Sequence, residues 1–195
     1  FEQIADDASD RDDPFLVEQI VRRSVSGRGV AATVEEVLVT SGAQNALWLM
    51  VQVLFGRAGG DVAIEDPGYP ELRNLLHQQG LTIHPVPVDR DGMMVDQIPA
   101  GVKAVYVTPS HQAPTGATMS MARRRALLER AEQDDFVVIE DDYDYEMSYA
   151  SPSLPALRSL DLRGRVVYVG SFSKSLFPGL RLGYLVGSEP FIREA

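Results

Sequence analysis

From residue 37 onward the chain alternates short apolar runs with longer stretches whose apolar residues recur every three or four positions. The runs at 37–40, 61–65, 82–88, 103–108, 136–140, 166–170 and 182–186 are apolar and mostly β-branched, which predicts strands. The stretches at 43–55, 71–79 and 121–134 predict helices, the first ending near Gly56 and the second at Gly80, since glycine past the last turn closes a helix without steric cost. Asp66-Pro67-Gly68 is a turn signal that stops the second strand. Upstream, Phe15, Leu16 and Ile20 stand at helical spacing within 14–24 and predict a short helix, and the first dozen residues are acidic and expected to be loose. Strands alternating with helices predict a layered α/β fold with a mostly parallel sheet. Ligands of such sheets collect just past the carboxyl ends of the strands, so the loops after the strands are where chemistry is sought.

Composition narrows the class. A chain of 195 residues, 45% hydrophobic, has material for one sizeable core rather than two full domains. Lys and Arg number 18 against 28 Asp and Glu, a net charge of -10 that disfavours tracking a phosphate backbone, so any contact with DNA is expected from another segment. No apolar run reaches the roughly eighteen residues a membrane span needs. Residues 1–7 lack the basic start and apolar stretch of a signal peptide. There is no cysteine, which excludes a disulfide framework and thiolate chemistry and fits a cytoplasmic protein.

Five loops after predicted strands carry candidate chemistry. In Ser171-Phe172-Ser173-Lys174, followed at a distance by Arg181, the lysine can lose its proton and attack a carbonyl, while Ser171, Ser173 and the planar fork of Arg181 can grip a phosphate dianion; the plain alternative is a solvated loop. The run 140–146 delivers Glu140, Asp141, Asp142, Asp144 and Glu146 to a strand end, where clustered carboxylates cost energy unless a cation sits among them. A protonated pyridine nitrogen would serve, and so would a hard cation, unless the run is a simple acidic loop. Thr40-Ser41-Gly42-Ala43-Gln44 turns from strand into helix and offers either a phosphate cradle or an ordinary serine N-cap. Tyr69, after Asp66-Pro67-Gly68, can stack on a planar cofactor or simply pack. His111, in Thr108-Pro109-Ser110-His111-Gln112-Ala113-Pro114-Thr115-Gly116, can titrate near neutrality, donate to a cofactor oxygen, or be structural. His77 and His84 lack metal-ligand spacing and receive no role, and no metal is assigned. Taken together, the five clusters supply a lysine, a phosphate grip, a ring carboxylate and a stacking aromatic.

These motifs resemble the large domain of fold-type I, pyridoxal-phosphate-dependent enzymes, the aspartate aminotransferase superfamily. The wording Thr40-Ser-Gly-Ala-Gln, Glu65-Asp-Pro-Gly-Tyr-Pro, Pro109-Ser-His-Gln-x-Pro-Thr-Gly, Glu140-Asp-Asp-Tyr-Asp-x-Glu and Ser171-Phe-Ser-Lys-x-Leu-Phe-Pro-Gly-Leu-Arg-Leu-Gly-Tyr is more closely similar to the aminotransferase-like domain of MocR/GabR-type regulators of the GntR family, over roughly residues 35–187. The resemblance implies a three-layer α/β/α domain with one antiparallel strand near the C-terminus. It divides the chain into an acidic segment with a short helix at 1–34 and a pyridoxal-phosphate-binding large domain at 35–195. It implies that Lys174 holds pyridoxal 5'-phosphate as a Schiff base, that Asp141, or its neighbour Asp142, pairs with the pyridine nitrogen, and that Tyr143 reaches the phenolic oxygen. The backbone of Ala43, with Gln44, Ser171 and Arg181, would bind the phosphate, and Tyr69 would stack on the ring.

Ala113 departs from the enzymes, which place an asparagine before Pro-Thr-Gly to hydrogen-bond the phenolic oxygen; the regulators commonly lack it too, and Tyr143 and His111 are candidates to compensate. The small domain that supplies a substrate-binding arginine, and the winged helix of the regulators, are both expected outside this chain. The resemblance thus leaves three functions: a sensor of an amino compound that acts on DNA through another domain, an aminotransferase using Lys174 as anchor and acid–base group, and a cofactor-free dimerisation remnant. The first is favoured, and a homodimer is expected by analogy.

Overall fold

A computed structural model describes residues 12–145, 154–174 and 177–195. The strands form where the β-branched runs predict them: β1 Val37–Thr40, β2 Asp61–Asp66, β3 Thr82–Asp89, β5 Ala104–Val107, β6 Val137–Asp142, β7 Val166–Ser171 and β8 Gly183–Val186, with a short unpredicted β4 at Gly92–Met93. They make one sheet in the order β1-β8-β7-β6-β5-β2-β3-β4. The neighbours from β3 through β2, β5 and β6 to β7 are parallel. β8 is the antiparallel strand expected near the C-terminus, and it runs against both β7 and β1. β4 adds a second antiparallel edge by pairing back on β3, its turn closed by Gly92 at φ 97.

Helices cover both faces: α1 Pro14–Gln19, α2 Ala43–Phe55, α3 Pro70–Gln78, α4 Met121–Asp134, α5 Leu157–Leu160 and α6 Glu189–Glu194. On one face, Leu47, Met50 and Phe55 of α2 and Leu72 and Leu76 of α3 pack on Val62, Ile64, Tyr106, Ile139, Val167 and Val169. On the other, Leu127 and Ala131 of α4 and Leu157 of α5 pack on Ala63, Val105, Val107 and Val138. The even–odd alternation along β6 and β7 divides these two cores, as side-chain period two requires. Each fully buried aliphatic side chain contributes about 1.5–3 kcal/mol.

Most boundaries fall within one residue of the sequence expectation, and the larger departures have visible reasons. The predicted helix at 14–24 begins as expected, Asp13 capping it through the Leu16 amide at 2.9 Å, but winds as a π-helix over Ile20–Val25. Hydrogen bonding to the fifth residue brings the buried Ile20 and Val25 to one face, where they pack with Val17 and Val30 against Tyr168 and Val186. β6 runs two residues past 140, because its ladder with β7 continues to the Asp142–Gly170 pair. The helices α5 and α6, of 4 and 6 residues, are too short to show a period in the sequence. The expectation for the first dozen residues falls outside the described residues except at Asp12, whose carboxylate accepts the Val39 amide at 2.6 Å. Among the described residues no helix is long and apolar enough to cross a membrane.

Candidate active site

The strand order brings the carboxyl ends of β5, β6 and β7 to the start of α2, and a cavity of about 350 Å³ opens there. Its walls include Ala43 and Gln44 from α2, Tyr69 from the turn before α3, Tyr106 and Thr108 from β5 and its loop, and Ala113. They also include Asp141 and Tyr143 from β6 and its turn, Ser171, Ser173 and Lys174 from β7 and its loop, and Arg181. Eight of the nine residues singled out from the sequence therefore meet in one place; His111 is the ninth. A larger hollow of about 930 Å³ lies between α1, β1 and α6, lined by aliphatic residues with Asp12, Glu35, Glu189 and Arg193, and holds none of the candidate side chains.

Two glycines make the junction possible. A Cβ on Gly183 would stand 3.0 Å from Gly170 O and from Gly42 C and 3.1 Å from Ala43 N, so its absence lets the start of α2 press onto β8. A Cβ on Gly170 would fall 2.1 Å from the Tyr184 ring. The cap of α2 is Gly42, at φ 84, and no side chain caps the helix; Ser41 is thus not the simple N-cap its type suggests. Among the described residues the first-turn amides have no side-chain acceptor, and the Arg181 guanidinium approaches within 3.8 Å of the space a Gly42 Cβ would fill. Gln44 Nε2 donates to the Tyr69 hydroxyl at 2.7 Å and ties the helix start to the aromatic ring. Ser171 Oγ accepts the Ser173 amide at 3.2 Å, bending the loop that carries the exposed Lys174. Ser175 and Leu176 of this motif lie outside the described residues.

β6 separates its acidic residues by face. Glu140 points toward α4 and caps α5, accepting the Leu157 amide at 2.7 Å and the Arg158 amide at 2.8 Å. Asp142 points the same way, toward the N-terminal segment, where Arg28 Nε donates to its Oδ2 at 2.5 Å and the Tyr168 hydroxyl at 2.8 Å. Asp141 alone of the three lines the cavity. The cations anticipated among clustered carboxylates are thus Arg28 and Arg124, and they serve the face away from the cavity.

Asp141 Oδ2 accepts the Tyr106 hydroxyl at 2.6 Å, while its Oδ1 is buried with no hydrogen-bond partner among the described residues. Burial pushes the Asp141 carboxyl up to about 7; the Tyr106 hydrogen bond opposes this, and the charges of Asp142, Glu65 and Asp144 reinforce it. Burial likewise pushes the Tyr143 hydroxyl up to about 12, with Asp144 and Asp141 adding to it. His111 stands outside the cavity lining: its Nδ1 lies 2.6 Å from Asp144 Oδ2, and its ring stacks beside Tyr143 at 6.5 Å between centroids. It touches the site through these two neighbours.

Pyridoxal phosphate suits these residues. A half-paired carboxylate buried beside the cavity calls for a cationic hydrogen-bond donor, which a pyridinium supplies, and a free helix start beside an arginine suits a phosphate. Tyr106, which lines the cavity, and Arg28, which holds Asp142 behind it, carry no local signal in the sequence. Tyr106 sits inside an apolar strand, where an aromatic reads as core, and Arg28 lies in a Gly-Arg-Gly turn with no local signature. Tyr106 could have been found by projecting period two along β5.

The fold is that of an aminotransferase-type domain, and the chain belongs to the aminotransferase class I and II family, whose model it matches over residues 9–195. It is 53% identical over 192 residues to the HTH-type transcriptional regulator TauR of Rhodobacter capsulatus, covering 98% of this chain and 40% of that protein. Identity to the probable rhizopine catabolism regulatory protein MocR of Rhizobium meliloti is 39% over 175 residues, 89% of this chain and 35% of that one. Among solved structures, the kynurenine aminotransferase of Pyrococcus horikoshii in complex with PMP aligns at a TM-score of 0.81 and 34% identity, over 92% of this chain and 45% of its own. The chain spans less than half the length of these relatives.

Proposed function

We propose that this domain binds pyridoxal 5'-phosphate on Lys174 and acts as the effector-sensing domain of a MocR/GabR-type transcriptional regulator. The observation that carries the cofactor assignment is Asp141: one carboxylate oxygen buried and unpaired beside a cavity that also holds Lys174 and Arg181. Support for the regulator comes from the two relatives named above as transcriptional or catabolism regulators.

When bound, the cofactor supplies an electron sink for bonds at the carbon of an attached amino compound. Lys174 offers the amine that bonds reversibly to a carbonyl. Asp141, rather than Asp142, is the partner for the pyridine nitrogen, because Asp142 faces Arg28 and Tyr168 on the opposite side of β6. The Ala43 amide, Gln44, Ser171 and Arg181 hold the phosphate, Tyr69 gives the ring an aromatic wall, and Tyr143 serves the phenolic oxygen with His111 and Asp144 steadying it. In this reading residues 35–195 are the cofactor-binding unit of a cytoplasmic homodimer, the effector is a small amino compound, and DNA is contacted outside these residues.

A second reading, amino transfer between amino acids and oxo acids, is favoured by the family and by the 34% identity to a kynurenine aminotransferase. Ala113 weighs against it, since its side chain has no donor for the phenolic oxygen. Adding pyridoxal phosphate should produce a visible absorption band and a borohydride-trapped mass on Lys174, both lost in Lys174→Ala. An unchanged spectrum and mass would end both readings. Coding sequence for a winged helix upstream of Phe1 supports the regulator, and multiple turnovers with an oxo acid support the enzyme.

A further inference from the structure

The N-terminal segment reaches the floor of the site through one side chain. Arg28, only 3% exposed, donates Nε–H to Asp142 Oδ2 at 2.5 Å, Nη1 to the Leu154 carbonyl at 2.9 Å and Nη2 to Ser110 Oγ at 2.8 Å. The Tyr145 ring covers the guanidinium at 4.1 Å, and the Tyr145 hydroxyl donates to the Gly27 carbonyl at 2.9 Å. Among the described residues, contacts with Asp142, Leu154, Ser110 and Tyr145 fix the guanidinium against the residue that follows Asp141 in the strand.

We infer that Arg28 is a positioning residue for the cofactor site: by holding the charge of Asp142 neutralised, it lets Asp141 present a negative carboxylate to the pyridine ring. The inference rests on the reading of Asp141 given above. Buried carboxylates here outnumber buried guanidiniums, since Glu65, Glu140, Asp141 and Asp142 are all buried while Arg28 and Arg124 are the two buried arginines among the described residues. Arg124 is committed to the carbonyls of Met119, Pro109 and Pro155, lies 4.0 Å from Glu140, and acts on Asp142 only through its charge. Glu65 is held by Thr108 and Gln112. Asp142 therefore depends on Arg28 and on the neutral Tyr168.

The groups facing Asp141 are Tyr106 from β5, Glu65 from β2, Tyr143 and Asp144 from its own turn, and Lys174 and Arg181 across the cavity. Asp142 is faced by Arg28, by Tyr168 from β7, by the more distant Arg124 from α4 and by Glu140 on its own strand. An uncompensated charge on Asp142 would add to the repulsion that already favours the protonated form of Asp141. A neutral acid there cannot pair with a cationic ring nitrogen.

The test is the affinity of the full chain for pyridoxal phosphate as a function of pH, followed by absorbance, with folding checked by circular dichroism. Relative to wild type, Arg28→Met should move the midpoint of the profile upward by about one pH unit, a loss of about tenfold near neutrality that disappears at pH 9. Arg28→Lys should fall between wild type and Arg28→Met, since it keeps the charge but loses the planar fork that meets three partners at once. Arg28→Met/Asp142→Asn should return the midpoint to the wild-type value or below, although the strap is still cut. Asp142→Asn alone should move it downward, which keeps the comparison open if Arg28→Met does not fold. A loss that is equal at every pH, or an Asp142→Asn profile that coincides with wild type, would overturn the inference while leaving the cofactor reading intact. Wild-type protein that bound no pyridoxal phosphate would overturn both.

Discussion

Tyr106 and Asp141 stand on neighbouring parallel strands and share a hydrogen bond of 2.6 Å, which satisfies one carboxylate oxygen and leaves the other buried and unpaired. The phenol stabilises the anion, because a donated hydrogen bond favours the charged form. Tyr106→Phe should therefore raise the Asp141 carboxyl beyond about 7. Affinity for pyridoxal phosphate at pH 7 should fall by about tenfold, in line with a hydrogen bond to a charged group, and recover by pH 9. Absorbance titration of both proteins at the two pH values measures this; a loss of equal size at both would show that the phenol only packs.

Asp141 should also leave a signature in the cofactor-free protein. Its carboxyl is raised in the folded state from an ordinary 3.8 to about 7, so the fold holds that proton more tightly than the unfolded chain does. The stability from this preference is fully present below about pH 4 and is lost as pH climbs to about 7. Asp141→Asn removes the titration. Its stability relative to wild type should rise by about 1.4 kcal/mol per pH unit across that window, read from urea midpoints. A difference that does not change with pH would place the proton elsewhere.

Gly183 tests the junction of α2 and β8. In Gly183→Ala the new methyl would meet Gly170 O and Gly42 C at 3.0 Å, and backbone atoms cannot swing aside as a flexible side chain can. Destabilisation of about 1–3 kcal/mol is expected from overpacking. A weaker grip on free phosphate should accompany it, though no candidate phosphate ligand has been changed. Thermal denaturation with and without phosphate reads both, and an unaltered phosphate-dependent shift would sink the second half.

Arg124 is fully buried and donates to three backbone carbonyls at 2.7–2.9 Å, those of Met119, Pro155 and Pro109. Arg124→Met strips these partners and the nearest cation from Glu140. It should cost about 3–5 kcal/mol, the range for breaking a buried charged pair from one side. Chemical denaturation decides it; a cost under about 1 kcal/mol would mean that water reaches the carbonyls.

The parallel sheet was legible because its strands are short β-branched runs with turn signals between them, and the candidate site because each chemical residue type follows such a run. The loop with Lys174 and Arg181 lies far along the chain from Tyr69 and Gln44, yet the rule that ligands gather at strand ends was enough to group them. Less legible was anything that depends on which face a side chain takes. Alternation says that Asp141 and Asp142 oppose each other; it does not say which one meets the cavity, since both faces of β6 are covered. The choice is made by Arg28 and Tyr168, and Arg28 sits 114 positions from its partner with no motif around it. His111 shows the converse: a suggestive residue in the right loop, drawn away from the cavity lining by Asp144. The π-helix at Ile20–Val25 was invisible because an i, i+5 pairing of buried residues imitates neither standard period.

β6 also works as a counter. Its three successive acids receive three different addresses, a helix cap, the cavity and the Arg28 strap, according to their ordinal place after Val137. Deleting or inserting a single residue upstream in this strand would send Asp142 or Glu140 to the cavity and deliver Asp141 to a partner on the wrong side. The strand can therefore accept a change of letter at several positions far more readily than a change of length. Copying errors that leave every acid in place but shift the count by one should be as damaging as losing Asp141 itself.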